Sequence, residues 1–471
     1  MPATPAPTAS PASPHDDDHA ATAIASLRHT IFANQQLWLD RLATGLPYPR
    51  QPGSLAPAVA ERLWHDDGLD VTRTGRSGVI MAGDPASVSL PTLAHTVDRV
   101  LAWLRTRGSG DVLAWAATPR PDLDVAFLAR GAHDSFAPHW MWKPLARPVP
   151  AFTPPAHVEI RLATPADRDE ILANPAIPYL DADQLHTMLA LGQPSATGGP
   201  VVRVVIAREG GLLRRNRVVG MGVVNLDTRA GTGGHGADAG GAANLFNLGV
   251  DPDARGRGIG TALTLAALAV ARQDGAVGLG LNATPDGERV YRKLGFRTIG
   301  TGQTWFLSAA RLRHLPDAAT IAFAEALAQG DLAMLDPGLA DLPMMPNGES
   351  PVVFAARFAG TGQADEVIRW LIRRGAMPDI VALWTVGLQD EAAALMADPR
   401  FRDRRAGHRA TTPLHDAIER DDLALARALI GAGANRLIRD TQYHGTAADW
   451  ARALHRPAIA ALLASDQSHP S

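Results

Sequence analysis

The stretch that decides the fold is Leu248-Gly-Val-Asp-Pro-Asp-Ala-Arg255-Gly256-Arg257-Gly258-Ile259-Gly260-Thr261. An apolar, strand-like segment runs into an Arg/Gly turn, and an Ala/Leu-rich segment with a helical pattern follows it. Glycines let the backbone adopt positive φ and approach a ligand closely. The first turn of a helix presents unpaired N–H groups and a positive dipole end. We therefore expect a phosphate or pyrophosphate to bind at residues 256–261.

Two other glycine-rich phosphate loops are excluded by the residue types. The stretch has no Gly-Lys-Ser/Thr, so it is not a P-loop. The dinucleotide fingerprint Gly-x-Gly-x-x-Gly would require glycine at position 261 or 263, and these are Thr261 and Leu263.

A second motif follows downstream. Gly278-Leu-Gly-Leu-Asn282 reads as a strand, and Glu288-Arg-Val-Tyr291-Arg-Lys-Leu-Gly295-Phe296 reads as a helix with its end. Gly295 stands where a left-handed residue is needed to end that helix.

The two segments together resemble motifs A and B of the GNAT superfamily of acyl-CoA-dependent N-acyltransferases. Arg255, Gly258 and Gly260 match motif A, Arg/Gln-x-x-Gly-x-Gly/Ala, and Tyr291-x-x-x-Gly-Phe matches motif B. The resemblance covers about residues 156–310. It implies an α/β fold, a mixed sheet with flanking helices. It also implies transfer of an acetyl or short acyl group from acyl-CoA to a primary amine by direct attack.

The resemblance also implies roles for individual residues. Main-chain N–H groups would hold the pyrophosphate, and a strand edge would pair with the pantetheine arm of the coenzyme. The implied coenzyme-binding residues are Leu248, Gly249, Val250, Arg255, Gly256, Arg257, Gly258, Ile259, Gly260, Thr261 and Asn282, the last facing the thioester end.

Tyr291 is the implied catalytic residue. A free thiol has a pKa of about 8.5 and tyrosine one of about 10, so a nearby tyrosine hydroxyl can protonate a leaving thiolate. The alternative for Tyr291 is an aromatic packed in the core. The general base stays open among Asn225, Asp227, His186 and water, and no metal is expected.

The first part of the chain carries a faint copy of the same pattern. Leu113-Ala-Trp-Ala-Ala-Thr-Pro119 parallels Leu279-Gly-Leu-Asn-Ala-Thr-Pro285, and His139-Trp-Met-Trp142 parallels Thr304-Trp-Phe-Leu307. The copy has Ala116 in place of Asn282 and Phe127 in place of Tyr291. We therefore predict a tandem repeat with a degenerate GNAT-like half at residues 21–150, which is structural or shapes the acceptor site.

The last third of the chain shows another periodicity. Thr412-Pro-Leu-His-Asp-Ala417 and Gly431-Ala-Gly-Ala-Asn435 resemble an ankyrin repeat, and Thr446-Ala-Ala-Asp-Trp-Ala451 repeats the frame. The resemblance implies an all-α ankyrin-repeat solenoid of four or five repeats at residues 311–468. Such repeats present a surface to a protein partner; the alternative is that they only dock on the transferase. His415 is expected to be a hydrogen-bonded structural imidazole.

Composition bounds the remaining possibilities. The 471 residues suit two to four domains, and 45 basic against 48 acidic residues give a net charge of −3, which does not favour nucleic acid. The absence of cysteine excludes disulfides and a cysteine nucleophile. We expect a cytoplasmic protein without a membrane span, because the longest apolar run is far shorter than the roughly 20 residues that a spanning helix needs.

Residues 1–20 are rich in Pro, Ala, Ser and Asp, so we expect a disordered tail. For the whole chain the alternative to an enzyme is a non-catalytic CoA-binding sensor that acts through its ankyrin repeats. The intact set of Arg255, Gly258, Gly260 and Tyr291 favours the enzyme.

Overall fold

The computed structural model of the chain forms two compact units. It describes residues 14–44, 60–66, 69–74, 78–82, 88–107, 111–177, 182–194, 201–211, 214–227, 241–308, 316–360, 363–407 and 409–465. One unit takes in Met1–Thr96, Ala102–Arg120 and Asp134–Ala310. The other takes in Val97–Leu101, Pro121–His133 and Arg311–Ser471.

The first half of the α/β region alternates short strands with helices. Its elements are α1 (Pro14–Thr44), β1 (Ala60–Asp66), β2 (Leu69–Thr74), β3 (Gly78–Ala82), α2 (Leu90–Arg107), β4 (Asp111–Ala116), α3 (Pro121–Leu128), β5 (His133–Asp134) and β6 (His139–Pro144).

The second half repeats this order and adds elements at its start. They are β7 (Val158–Leu162), α4 (Arg168–Leu172), α5 (Ala182–Leu191), β8 (Val202–Gly211), β9 (Arg214–Leu226), β10 (Ala242–Val250), α6 (Ile259–Gln273), β11 (Gly278–Ala283), α7 (Pro285–Lys293), β12 (Arg297–Thr301) and β13 (Gln303–Ser308). The glycine-rich stretch from Ala230 to Gly241, for which the sequence predicts a loop, lies outside the described residues except for Gly241.

Each half is built around one mixed sheet. The larger sheet has the strand order β12-β6-β11-β10-β9-β8-β7, and the smaller has the order β1-β2-β3-β4-β13-β5. β10 and β11 are parallel in the larger sheet, as β3 and β4 are in the smaller. The predicted fold class, a mixed α/β sheet with flanking helices in tandem, is confirmed.

The two halves exchange one strand each. β6 comes from the first half but lies between β11 and β12, with Met141 opposite Leu281. β13 comes from the second half but lies beside β4, with Trp305 opposite Ala114. The parallel between the segments that start at His139 and Thr304 falls on these two strands. Each sheet therefore depends on the other half for one strand.

Helices cover both faces of the larger sheet. On one face α6 buries Ala267, Leu268 and Ala271 against apolar residues of β10 and β11. On the other face α1 buries Ile31 and Phe32 in a cluster with Trp140 and Ile299.

The start of α1 overlaps the expected disordered tail. The helix begins at Pro14, so residues 14–20 of the expected disordered tail are helical, and residues 1–13 lie outside the described part. A proline in the first turn and the acidic residues Asp16–Asp18 near the positive end of the helix dipole suit a helix start.

The C-terminal region is made of paired helices. They are α8 (Ala318–Gln329), α9 (Pro351–Arg357), α10 (Ala364–Arg373), α11 (Ile380–Thr385), α12 (Gln389–Met396), α13 (Pro399–Arg402), α14 (Pro413–Glu419), α15 (Leu423–Gly431), α16 (Ala447–Ala453) and α17 (Pro457–Ser465).

His415 is 1% exposed; its Nδ1 lies 2.9 Å from the hydroxyl of Thr412 and its Nε2 lies 3.3 Å from the carbonyl of Gly445. Burial lowers its pKa, as expected of a structural imidazole.

Candidate functional site

The site begins where two parallel strands part. β10 and β11 pair only from Ala242 opposite Gly278 to Leu245 opposite Leu281, although β10 continues to Val250. Beyond that point β10 is paired only with β9, across a bulge at which Asn247 has a φ of 51°. The main chain from Leu248 to Val250 therefore has a free edge on the side of β11. Such an edge can pair with an extended amide-containing arm.

Two predicted residues lie at the two ends of this opening. Asn282 follows the last paired residue of β11, so it stands where the strands separate. Arg255 is exposed beyond the end of β10, and its Nε donates to the carbonyl of Val250 at 3.2 Å.

The turn after β10, residues 256–261, has the geometry of an anion-binding loop and is called the cradle below. Gly256 and Gly258 have φ of 74° and 84°, conformations that L side chains rarely adopt. Gly258 is the N-cap of α6 and offers no side-chain cap, and the first backbone hydrogen bond of the helix is donated by Ala262. Within the described residues, the four successive N–H groups from Gly258 to Thr261 have no hydrogen-bond acceptor. Bare N–H groups at the positive end of a 15-residue helix attract a phosphate.

Charged side chains on and next to the loop anchor it to neighbouring elements. Arg257 Nη2 lies 2.6 Å from Oε1 of Glu209, a residue of β8 that is 4% exposed. The carboxylate of Asp251 accepts hydrogen bonds from Asn174, the N–H of Asp253 and Arg217. Burial opposes its ionisation, but these donors hold its pKa below the usual range. The loop is thus anchored by groups that leave its main chain open.

Ile259 fixes the start of the helix. Its side chain is 1% exposed and packs with Val205, Val219 and Leu263 beneath the cradle. The one large apolar side chain among the predicted residues 256–261 therefore lies in the core.

Tyr291 lies on the inner face of α7. It is 9% exposed, belongs to the apolar cluster between β11 and α6, and meets Phe296 edge to face at 5.7 Å. Thr284 caps this helix by accepting from the N–H of Gly287. A Cβ at Gly287 would lie 3.2 Å from the Tyr291 ring, so glycine keeps the space beside the ring open.

One hydrogen-bonded pair at the site was missed by the sequence analysis. His139 Nδ1 lies 2.6 Å from Oε2 of Glu288, one turn before Tyr291 on α7. Hydrogen bonds from Thr298, against the effect of burial, and from Arg292 and His139 lower the pKa of Glu288 to about 2. His139 starts the exchanged strand β6, opposite Ala283. No local signal could reveal this pair, because its members are 149 positions apart.

The candidate general bases Asn225, His186 and Asp227 lie on or next to different elements of the structure. Asn225 is fully buried; its Nδ2 donates to Asn34, and its Oδ1 accepts from Arg41 at 2.5 Å. Both ends of that amide are occupied, so Asn225 joins β9 to α1. His186 lies on α5 and Asp227 just beyond β9.

Among the described residues, no three His, Asp or Glu side chains converge as a metal site would need. Over the same ranges, no helix is both long and apolar enough to cross a bilayer.

Comparison with known proteins yields two family matches. Residues 201–298 match the family model of the acetyltransferase (GNAT) domain, and residues 411–441 match the ankyrin repeat. The chain is also similar to a mycothiol acetyltransferase from Saccharomonospora viridis, with 48% identity over 60 residues. That match spans 12% of this chain and 20% of that protein, so it covers one fifth of the relative's length.

Two solved structures to which the chain is similar carry GNAT-type names. A GCN5-related N-acetyltransferase from Kribbella flavida is 17% identical over 52% of this chain and 88% of its own, with a TM-score of 0.38. A tandem GNAT protein from the clavulanic acid biosynthesis pathway is 19% identical over 59% of this chain and 94% of its own, with a TM-score of 0.36.

Proposed function

Because the chain contains an acetyltransferase domain of the GNAT family at residues 201–298, we propose that it transfers an acetyl or short acyl group from acyl-CoA to a primary amine. The observation that carries the proposal is that two features occur together. The N–H groups of Gly258–Thr261 have no acceptor among the described residues, and the strand edge at Leu248–Val250 is free on the side of β11. The first suits a pyrophosphate and the second suits the amide-rich pantetheine arm, so together they fit one coenzyme A.

Tyr291 is the proposed general acid. Attack of the amine nitrogen forms the C–N bond and breaks the C–S bond, so the sulfur leaves as a thiolate that needs a proton. The hydroxyl of Tyr291 supplies that proton. The attacking amine loses one proton as the amide forms, and this proton replaces the one that the hydroxyl gave up. Its position supports this role. Tyr291 lies on α7 beside the small residue Gly287, and α7 directly follows β11, the strand that separates from β10.

Asn282 is proposed to orient the thioester end of the substrate. It stands at the first position of β11 that is not paired with β10. On its other side β11 is still paired with β6 at this position. Arg255 is proposed to move from the Val250 carbonyl to the pyrophosphate, because its exposed guanidinium lies beside the cradle.

The ankyrin repeats are proposed to bind a protein partner. Their large exposed side chains include Leu437 at 77%, within the matched repeat, and Tyr443 at 65%, just after it. Exposed apolar residues of this kind commonly mark interaction surfaces.

The acceptor class is open between a small amine and a protein lysine. The matching relative is named for mycothiol, which favours a small molecule by analogy. The repeats favour a protein.

The test is a calorimetric titration of the full chain with acetyl-CoA, followed by a thiol-release assay over a panel of small amines and lysine peptides. Binding with amine-dependent thiol release is the expected result. Binding without release on any acceptor would replace the enzyme by the CoA-binding sensor, and no binding would overturn the proposal.

A further inference from the structure

The exchanged strand β6 runs along α7, the helix that carries Tyr291. Alternate residues of a strand face opposite sides of its sheet. Trp140 and Trp142 pack with α1 on one side, whereas Met141 lies in the apolar cluster of Tyr291 on the other. The residues two positions before and after Met141 therefore share its side of the sheet, the side of α7. β6 belongs to the first half of the chain and α7 to the second.

His139 bonds the first part of α7. Its Nδ1 lies 2.6 Å from Oε2 of Glu288, and the two side chains are 25% and 14% exposed. Thr298 and Arg292 donate to the other carboxylate oxygen, Oε1, at 2.6 and 2.7 Å. Within the described residues Oε2 has no further partner, so losing His139 would leave a largely buried oxygen unpaired, which is costly. Glu288 lies about one helical turn before Tyr291, so this bond is close to the tyrosine along the helix.

Lys143 lies at the opposite end of the same helix. Its Nζ lies 2.9 Å from the position that a Cβ of Gly295 would take, two residues after α7 ends. A cation is stabilised at the carboxyl end of a helix by the helix dipole. One strand thus reaches α7 near its start, shares a core cluster with Tyr291 through Met141, and reaches the end of the helix.

The corresponding strand of the degenerate half makes no such bond through its first polar residue. Thr304 on β13 corresponds to His139, and its hydroxyl donates to the carbonyl of Phe136 and accepts from the N–H of the same residue. Its hydroxyl is therefore engaged with a neighbouring main chain. In that half Phe127 replaces Tyr291. The bond from the exchanged strand to the helix thus occurs in the half that has the tyrosine.

We infer that β6 positions the proposed general acid: His139, acting through Glu288, fixes the start of α7 and with it the place of the Tyr291 hydroxyl. Proton transfer to the leaving thiolate needs a hydrogen-bond distance of about 2.6–3.2 Å, so a small shift of α7 costs rate and not coenzyme affinity. His139 is a positioning residue, since it acts through Glu288. The inference rests on the proposed function and gives the degenerate half a part in catalysis.

The test is a double-mutant cycle in the full chain, with the amine that the wild type acetylates fastest in the panel. His139→Ala removes the donor to Glu288 and should lower kcat about tenfold, with the Kd for acetyl-CoA unchanged. His139→Asn keeps a donor near the place of Nδ1 and should restore kcat to within about threefold of the wild type. In a Tyr291→Phe background, His139→Ala should lower kcat less than about twofold further, because the positioned hydroxyl is already gone.

Two further variants separate position from stability. Arg203→Ala breaks the two hydrogen bonds, both 2.8 Å, that Arg203 donates to Asp274 at the far end of α6. It should lower Tm and leave kcat unchanged. Thr298→Val removes another donor to Glu288 at nearly constant volume. It should lower kcat about threefold, and it keeps the test open if His139→Ala does not fold.

Three outcomes would overturn the inference. A lowered Tm with an unchanged kcat in His139→Ala and Thr298→Val would leave the His139–Glu288 bond a purely structural one, while the proposed function would stand. Losses that multiply in the double variant would show that His139 acts apart from Tyr291. If the wild type acetylates no amine, the proposed function itself fails and this inference falls with it.

Discussion

The two α/β halves share a topology and differ at the start of one helix. In the second half α6 begins after its N-cap Gly258, and over the described part of the chain the four N–H groups from Gly258 to Thr261 have no acceptor. In the first half the corresponding helix α2 follows Ser89, whose Oγ accepts from the N–H of Thr92 at 3.3 Å. Pro91 has no N–H at the position that matches Gly260. A side-chain cap and one proline thus remove two of the four donors, and with them the anion cradle.

The same difference continues along the following strand and helix. Ala116 and Phe127 are both fully buried where Asn282 and Tyr291 stand in the second half. Trp115 packs on Phe136 at 5.1 Å and on Trp140 at 6.4 Å. Apolar packing has replaced polar groups in one copy, so topology alone does not make the site.

The exchanged strands provide the largest expected effect. Trp140 is 1% exposed and donates from Nε1 to the Ala117 carbonyl at 2.9 Å, and its counterpart Trp305 is fully buried. Replacing either by alanine should lower the free energy of unfolding by about 3–5 kcal/mol. Because each tryptophan lies on a strand of one half within the sheet of the other, calorimetry should show both halves unfolding in one transition. Separate transitions for the two sheets would contradict the coupling.

A second change would convert the cradle into its degenerate counterpart. Gly258→Ser with Gly260→Pro copies Ser89 and Pro91 into α6. We expect acetyl-CoA to bind about 100-fold more weakly, because two donors to a charged phosphate are lost. Calorimetric titration measures this, and circular dichroism controls for folding. A Kd within threefold of the wild type would show that the cradle does not hold the pyrophosphate.

A third change makes the two halves alike at the catalytic position. Tyr291→Phe copies Phe127 and removes only a hydroxyl. We expect kcat to fall about 10–100-fold with the Kd for acetyl-CoA unchanged, because the hydroxyl protonates the leaving thiolate. Unchanged turnover at saturating substrates would leave Tyr291 as a packing residue. Phe296→Leu, at its ring contact, is the control for packing.

The smallest expected effect concerns Glu288. Its pKa of about 2 lies below the ordinary 4.5, so the carboxylate stabilises the fold above about pH 4.5 and loses this effect as the pH falls toward 2. Glu288→Gln keeps an acceptor oxygen, so it should cost about 1 kcal/mol at pH 7. Its unfolding free energy should change less than that of the wild type between pH 4.5 and 2. Identical pH profiles would show that the His139–Glu288 pair does not stabilise the site.

Much of the site could be predicted from local pattern. The strand, the Arg/Gly turn and the helix from Ile259 follow from glycines at positive φ and an unbroken Ala/Leu run. The unbonded N–H groups at the start of α6 could be anticipated because they need only the order of residues 256–261 in the chain, and their role as donors to a phosphate stays a prediction. The role of Tyr291 stays a prediction, since burial against Phe296 suits a packing residue as well.

Other features depend on contacts between distant segments. The hydrogen bond between His139 and Glu288 and the one between the amides of Asn34 and Asn225 join residues about 150 to 190 positions apart. Periodicity gives no information on which strand pairs with which, so the exchange of β6 and β13 was not anticipated.

The sequence by itself determined the glycine turn before α6 and the ankyrin frame around His415, because turns and helix starts are set by a few adjacent residues. Only the tertiary structure decided that α1 covers the larger sheet and brings Asn34 to Asn225. That placement results from the burial of Ile31, Phe32 and Trp38 against strands nearly 200 residues away, and burial is a property of the whole fold.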